Sequence, residues 1–225
     1  MMSNQPILLL HLEGPLQSWG ERSHLIYRDT ASFPSKSGVI GLLACALGWQ
    51  RDDDRIGELS SKLKIAMRAD RPGEIMVDYQ TVTSSRLLNA EGKRRSNGDT
   101  ILSWRSYLQD ACFIVALSGP KELLEECKTA LSNPKWQLYL GRKSCIPVCP
   151  IIIDTTNDYS DLNDAMEKFP LCHRHADSIL YEIESDGNEG YRRNDVRVVS
   201  SERIFSSRFV TVRRFDAKEV SNVLK

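Results

Sequence analysis

Residues 33–54, FPSKSGVIGLLACALGWQRDDD, place the hardest constraint on how this chain can fold. Pro34, Ser35 and Lys36 form a polar loop that meets Ser37 and Gly38. An almost wholly apolar run follows, then an acidic stop at 52–54. Val39, Ile40, Leu42, Leu43, Ala46 and Leu47 leave so little polar face that the helix they predict is packed on nearly all sides. Gly48 fits its C-cap. The first N–H groups of such a helix lack intrahelical partners, and its dipole favours negative charge there. Ser35 or Ser37 can cap it, Lys36 adds a cation, and Gly38 allows a ligand to come close. Gly41 costs ~1 kcal/mol against alanine in a helix interior, which either close packing or close ligand approach explains. An ordinary capped helix with a solvated lysine has the same residues, so this stretch alone leaves both readings open.

The order of elements narrows the fold. Residues 6–12 read as a strand buried on both faces, ended by Glu13-Gly14-Pro15. A loop over 16–36 carries Trp19, Arg22, His24, Tyr27 and Arg28, and a connection of that length is often functional. After the apolar helix come a short helix to about residue 63 and strands over 64–69 and 75–83. A polar, basic stretch with turn signals at Gly92 and Asn97-Gly98 predicts a projecting hairpin. A buried strand (111–117), an amphipathic helix (121–131) and a short strand (136–140) follow. Strand, helix, two strands, helix, strand is the ferredoxin-like plan, shared with RNA recognition modules. The expectation is an α+β chain: a ferredoxin-like, RRM-like domain over 1–150 with a β-hairpin thumb at about 84–103, and a smaller β-rich region over 151–225.

Charge is balanced overall, with 30 Lys plus Arg against 30 Asp plus Glu, so net charge names no nucleic-acid partner. Its distribution is uneven. Residues 84–108 hold Arg86, Lys93, Arg94, Arg95 and Arg105 against Glu91 and Asp99, and seven arginines fall within 191–214 against Asp195 and Glu202. Separated blocks of this kind give a neutral protein basic and acidic faces. The apolar run at 7–10 is short for a signal sequence and no basic segment precedes it. No stretch approaches the ~20 apolar residues of a membrane span. The six cysteines form no Cys-x-x-Cys pair, so a cytoplasmic, reduced protein is expected, with no membrane partner.

Three features carry possible chemistry beside the helix start. YLGRKSC (139–145) places Gly141, Arg142, Lys143 and Ser144 at a strand end, a second candidate phosphate cradle that lacks the Walker spacing. In a ferredoxin-like sheet it can approach the loop before the first helix, and two phosphate sites close together suit a strand of nucleic acid. The basic hairpin, near Trp104, Arg105 and Tyr107, can track a phosphate backbone and stack on bases, or simply be a solvated loop anchored to the core. His11, His24, Tyr27 and Lys36 are the candidates for metal-independent acid–base cleavage of RNA. His173 and His175 beside Cys172 hint at a metal. The spacing is wrong for a zinc finger and no second cluster completes it, so neither metal nor cofactor is expected.

GPLQSWG (14–20), Arg28-Asp29-Thr30, Phe33 to Gly38, DYQTV (78–82), WRSYLQDACFIVAL (104–117) and YLGRKSC occur in an order and spacing that resembles the CasD family of the subtype I-E CRISPR Cascade complex. The likeness covers roughly residues 7–150. It implies a ferredoxin-like, non-catalytic RNA-binding subunit that caps the 5′ handle of the CRISPR RNA. Its implied neighbours are the large subunit and the end backbone subunit, with target DNA near the complex. Carried over to this chain, Arg28 and Pro34, Ser35, Lys36, Ser37 and Gly38 meet the handle. Trp19 and Gly20 shape the same pocket, and Gly141, Arg142 and Lys143 form its other wall. The 84–103 segment is the implied thumb. Related subtypes use the corresponding subunit to cleave precursor RNA, so an endoribonuclease stands as the alternative. A purely structural adaptor with acidic protein partners is the third reading.

Overall fold

The structure, a computed structural model, describes residues 6–83, 88, 92–93, 100–173, 176–199 and 204–220. In chain order the elements are β1 (Ile7–Glu13), β2 (Leu16–Gln17), β3 (Tyr27–Arg28), α1 (Lys36–Leu47), α2 (Arg55–Lys62), β4 (Lys64–Arg71), β5 (Glu74–Thr83), β6 (Thr100–Gln109), β7 (Cys112–Ser118) and α3 (Lys121–Ser132). They continue with β8 (Ile152–Thr156), α4 (Leu162–Lys168), β9 (Ser178–Glu184), β10 (Tyr191–Val199) and β11 (Ile204–Asp216). This is a mixed α/β chain, dominated by antiparallel sheet.

The main sheet has the order β10-β11-β9-β4-β7-β1-β8, and every neighbouring pair is antiparallel. Its central strands are apolar on both faces because both faces are covered. Along β1, Leu8, Leu10 and Leu12 enter the core beneath α1 and α3, while Ile7 and Leu9 enter a second core that includes Leu162, Ala165 and Met166 of α4. On β7, Phe113, Val115 and Leu117 face the first core and Cys112, Ile114 and Ala116 the second. The alternation has the period of two that a pleated strand imposes. Helix α1 buries Val39, Ile40, Leu42, Leu43, Ala44 and Ala46, and Gly48 ends it in the left-handed region at φ 75°.

A smaller sheet pairs β5 with β6 as a ten-residue antiparallel hairpin, with β2 and β3 joining β6. The long loop of the sequence reading is therefore stitched to β6 by two short strands. The expected hairpin is present through its stem. Its tip, including Arg86, Arg94 and Arg95, lies outside the described residues, while Lys93 is exposed.

One expected strand is absent. Residues 136–140 form no ladder, and β8 takes the place beside β1. The reason is local: the Lys135 N–H donates to the Ala46 carbonyl at the end of α1, and Trp136 is 41% exposed. The segment instead caps α1. The seven-stranded sheet also draws strands from both sides of residue 150. No helix of the described residues is long and apolar enough to cross a membrane.

Candidate nucleic-acid interface

The start of α1 has the cap that the sequence predicts. Ser35 is extended, and its hydroxyl accepts from the Gly38 N–H at 3.2 Å. The anion at this helix start, however, belongs to the chain itself. The Lys36 N–H donates to Asp195 Oδ2 at 2.7 Å, and Lys36 Nζ lies 2.9 Å from both carboxylate oxygens of Glu184. The Lys36 side chain is buried, so the expectation of an ammonium offered to an external phosphate is corrected: it neutralises a carboxylate of β9. Asp195 in turn holds Arg208 through two bonds of 2.7 and 2.9 Å. Arg193 bridges Glu21 at 2.6 Å and Glu182 at 2.5 Å. Burial pushes the Asp195 carboxyl up. The Arg208 and Arg193 guanidinium groups and the Lys36 N–H outweigh that and hold it below the usual carboxylate range.

Trp19 and Pro34 also stand behind the surface. Trp19 is 1% exposed and donates from Nε1 to Gln17 Oε1 at 3.0 Å. A Cβ on Gly38 would lie 2.8 Å from its ring, so Gly38 is needed for the packing of Trp19. Pro34 is buried, and its carbonyl accepts from Arg193 Nη1. Gly20 and Arg28 are exposed.

The second cradle is a tight turn. The Leu140 N–H bonds to the Cys145 carbonyl and the Cys145 N–H to that of Arg142. Gly141 sits at φ +91°, and a Cβ there would fall 1.7 Å from the Ser18 carbonyl oxygen. No other residue fits that position without moving the backbone. Arg142 reaches back to the Arg28 carbonyl at 3.0 Å and lies 4.6 Å over the Tyr107 ring. Its Nη1 is buried and has no acceptor among the described residues. Lys143 is exposed.

The two segments line opposite sides of one cleft, although residues 136–140 before Gly141 form no strand. Ser37, Gly38 and Gly41 line one side of a cleft of about 460 Å³, and Tyr139, Gly141 and Lys143 line the other. Trp49, Arg51, Trp136 and Arg197 complete the wall. Gly41 faces this space with no atom within 4 Å of where its Cβ would be, which removes close packing as the reason for a glycine there. On the smaller sheet, Trp104 of β6 lies between Tyr27 and Tyr79, each 5.1 Å away between ring centres. Arg105 Nε bonds Ser103 Oγ at 3.3 Å. Tyr107 is buried and serves as the platform for Arg142.

Sequence reasoning missed Arg51, Trp136, Tyr139 and Arg197 in the cleft, and Glu184 and Asp195 behind it. The signal for the latter was the spacing of Arg193 and Asp195, two apart and hence on one face of a strand. The residues weighed for cleavage do not form a common group. Lys36 is buried against Glu184, whereas His24 and Tyr27 pair through their backbones on an exposed turn.

Fold and cleft together define a mixed α/β protein with an open cleft lined by cations and aromatic rings. The chain matches the family described as CRISPR-associated protein (Cas_Cas5) over residues 7–211, and it belongs to that family. It is 36% identical over 160 residues to the CRISPR system Cascade subunit CasD of Escherichia coli (strain K12), an alignment spanning 66% of this chain and 70% of that protein. Solved structures resemble it, and two of them show how closely. One, described as a Cas protein, has a TM-score of 0.75 and 35% identity, covering 96% of this chain and 98% of the other. The second, a chain of a CRISPR RNA-guided surveillance complex, has a TM-score of 0.76 and 35% identity, covering 96% and 94%.

Proposed function

We propose that this chain is a non-catalytic RNA-binding subunit of a Cascade-type CRISPR complex, and that its cleft holds the 5′ handle of the CRISPR RNA. The observation that carries the reading is Gly41. A glycine in a helix interior, facing open space, costs stability and gains nothing from packing. A strand of nucleic acid lying close against the helix supplies the missing reason. Gly38, Ser37, Gly141 and Lys143 line the same space. Arg28 and Gly20 form the rim, with Trp19, Pro34, Ser35 and Lys36 as buried support. In this reading β4, β7, β1 and β8 with α1 and α3 are the ferredoxin-like core, and β5–β6 is the stem of a thumb carrying Arg86, Lys93, Arg94 and Arg95. The exposed aromatic group at Trp104 and the Arg105 side chain flank the RNA where handle and spacer join. The large subunit, the end backbone subunit and target DNA are the neighbours.

The test is incubation of the purified chain with end-labelled repeat RNA in EDTA, read for gel shift and for cleavage. A shift without a cut is expected, weakening with salt. Lys143→Ala should flatten the slope of log K against log salt by ~0.7, the share of one single-strand phosphate. Unchanged binding in the Arg142→Ala/Lys143→Ala double variant would remove the cradle from the reading. A discrete cut within the repeat would make the chain a processing nuclease.

A further inference from the structure

On the far side of β1 from α1 the fold assembles a second chemical cluster, from residues that lie far apart in sequence. His11 and Glu13 project from β1, Cys112 from β7, and Cys172 and His173 from the segment after α4; Cys149 approaches from the loop before β8. His11 Nε2 is 3.3 Å from Cys112 Sγ and 3.1 Å from Glu13 Oε2. The donor atoms of His11, Cys112 and Cys172 all lie within 4.8 Å of one another, as do those of Glu13, Cys112 and His173. All six cysteines of the chain are free thiols.

We infer that His11 Nε2, Cys112 Sγ and Cys172 Sγ hold a borderline-soft divalent cation, Zn²⁺ above all, and that Glu13 Oε2, which lies 3.1 Å from His11 Nε2, moves in to complete a tetrahedron. Zinc bonds of ~2.0–2.3 Å set ligand atoms roughly 3.3–3.8 Å apart, and the His11–Cys112 and His11–Glu13 separations are already close to that. Two thiolates and an imidazole are the donors that select such a metal over magnesium or calcium.

The surroundings are those that a metal site needs. With Nε2 ligating, His11 carries its proton on Nδ1, which lies 3.3 Å from Cys149 Sγ and donates to it. The other oxygen of Glu13 is held at 2.8 Å by both Arg71 and His173, leaving Oε2 turned to the site. Two thiolates and one carboxylate around Zn²⁺ leave one negative charge, which Arg71 balances. Cys172 is fixed from behind: its N–H donates to Asp70 Oδ2 at 2.6 Å. Asp70 is locked to the fully buried Arg68, which also binds the carbonyls of Met166, Phe169 and Pro170. The ion fastens the segment after α4 to β1 and β7, and its role is structural.

The full-length chain, grown with added zinc and passed through gel filtration, should carry about one Zn²⁺ per molecule by mass spectrometry of metals. Exchange for Co²⁺ should give thiolate-to-cobalt charge-transfer absorption. That band should fall by about half in Cys112→Ser or Cys172→Ser alone and vanish in the double variant. It should remain in Cys127→Ser, a buried thiol of the other core. A wild-type chain with neither zinc nor a cobalt–thiolate band overturns the proposal, whatever the variants do. So does a Cys112–Cys172 disulfide in the chain as purified, or a band that survives the double substitution.

Discussion

Three glycines show how single residues set the site. Gly141 has a positive φ and a carbonyl where its Cβ would be. Gly38 is pressed by Trp19, and Gly41 faces empty space. Their substitutions should therefore separate. Gly141→Ala should lower stability by ~3 kcal/mol or more through backbone strain and collision. Gly41→Ala should raise it by ~1 kcal/mol and yet weaken RNA retention, because the new methyl enters the cleft. Denaturant unfolding and a filter-binding assay on the same preparations check both. Gly41→Ala with undiminished RNA binding would take away the main support for the proposed function. That glycines stand at 38 and 41 was visible in the sequence, but not why: Trp19, which presses on Gly38, is brought there by loop geometry that local pattern does not encode, and the open space before Gly41 exists only in the fold.

At the scale of elements, the start of α1 is locked by the β10–β11 hairpin through Asp195. Asp195 is 1% exposed, and removing its charge leaves Arg208 inside without its counterion and takes one of three carboxylates from Arg193. Asp195→Asn should cost about 3–5 kcal/mol. The pH dependence follows from the depressed carboxyl. A free aspartate titrates near 3.8, so the contribution is complete above that value and is lost as pH falls from there through the lower folded value. Chemical denaturation between about pH 5 and pH 2 should show the wild type losing more stability than Asp195→Asn; parallel curves would mean that the carboxylate contributes nothing. The burial of β1 and β7 on both faces was legible because each is a short, nearly unbroken apolar run, and α3 was legible from its amphipathic period and α1 from its apolar run between cap residues. The 136–140 segment misled because Trp and Tyr are enriched in strands, a preference that context overrides, while its actual place is decided by a bond from Lys135 to α1. The arginines of 191–214 read as a surface block, since sequence does not say which of them meet carboxylates inside.

At the scale of the molecule, one sheet joins the two halves that composition separates at residue 150. A fragment of residues 1–150 would lose β8 from beside β1 and β9 from beside β4, leaving two open edges. It would also strip Leu162, Leu171, Tyr181 and Phe215 from the second core, which β1 and β7 share. Such a fragment should aggregate or unfold without cooperativity; a monomer with a sharp melting transition would support a division into two domains at residue 150. The lock on α1 also has a cost in time. Lys36 and Asp195 are 159 residues apart, and at 5–20 residues per second a ribosome needs roughly 8–32 s to deliver the second after the first. Throughout that interval the newborn helix presents its bare N–H groups to whatever anions surround it. The chain's own carboxylate arrives last, as a competitor that must displace them.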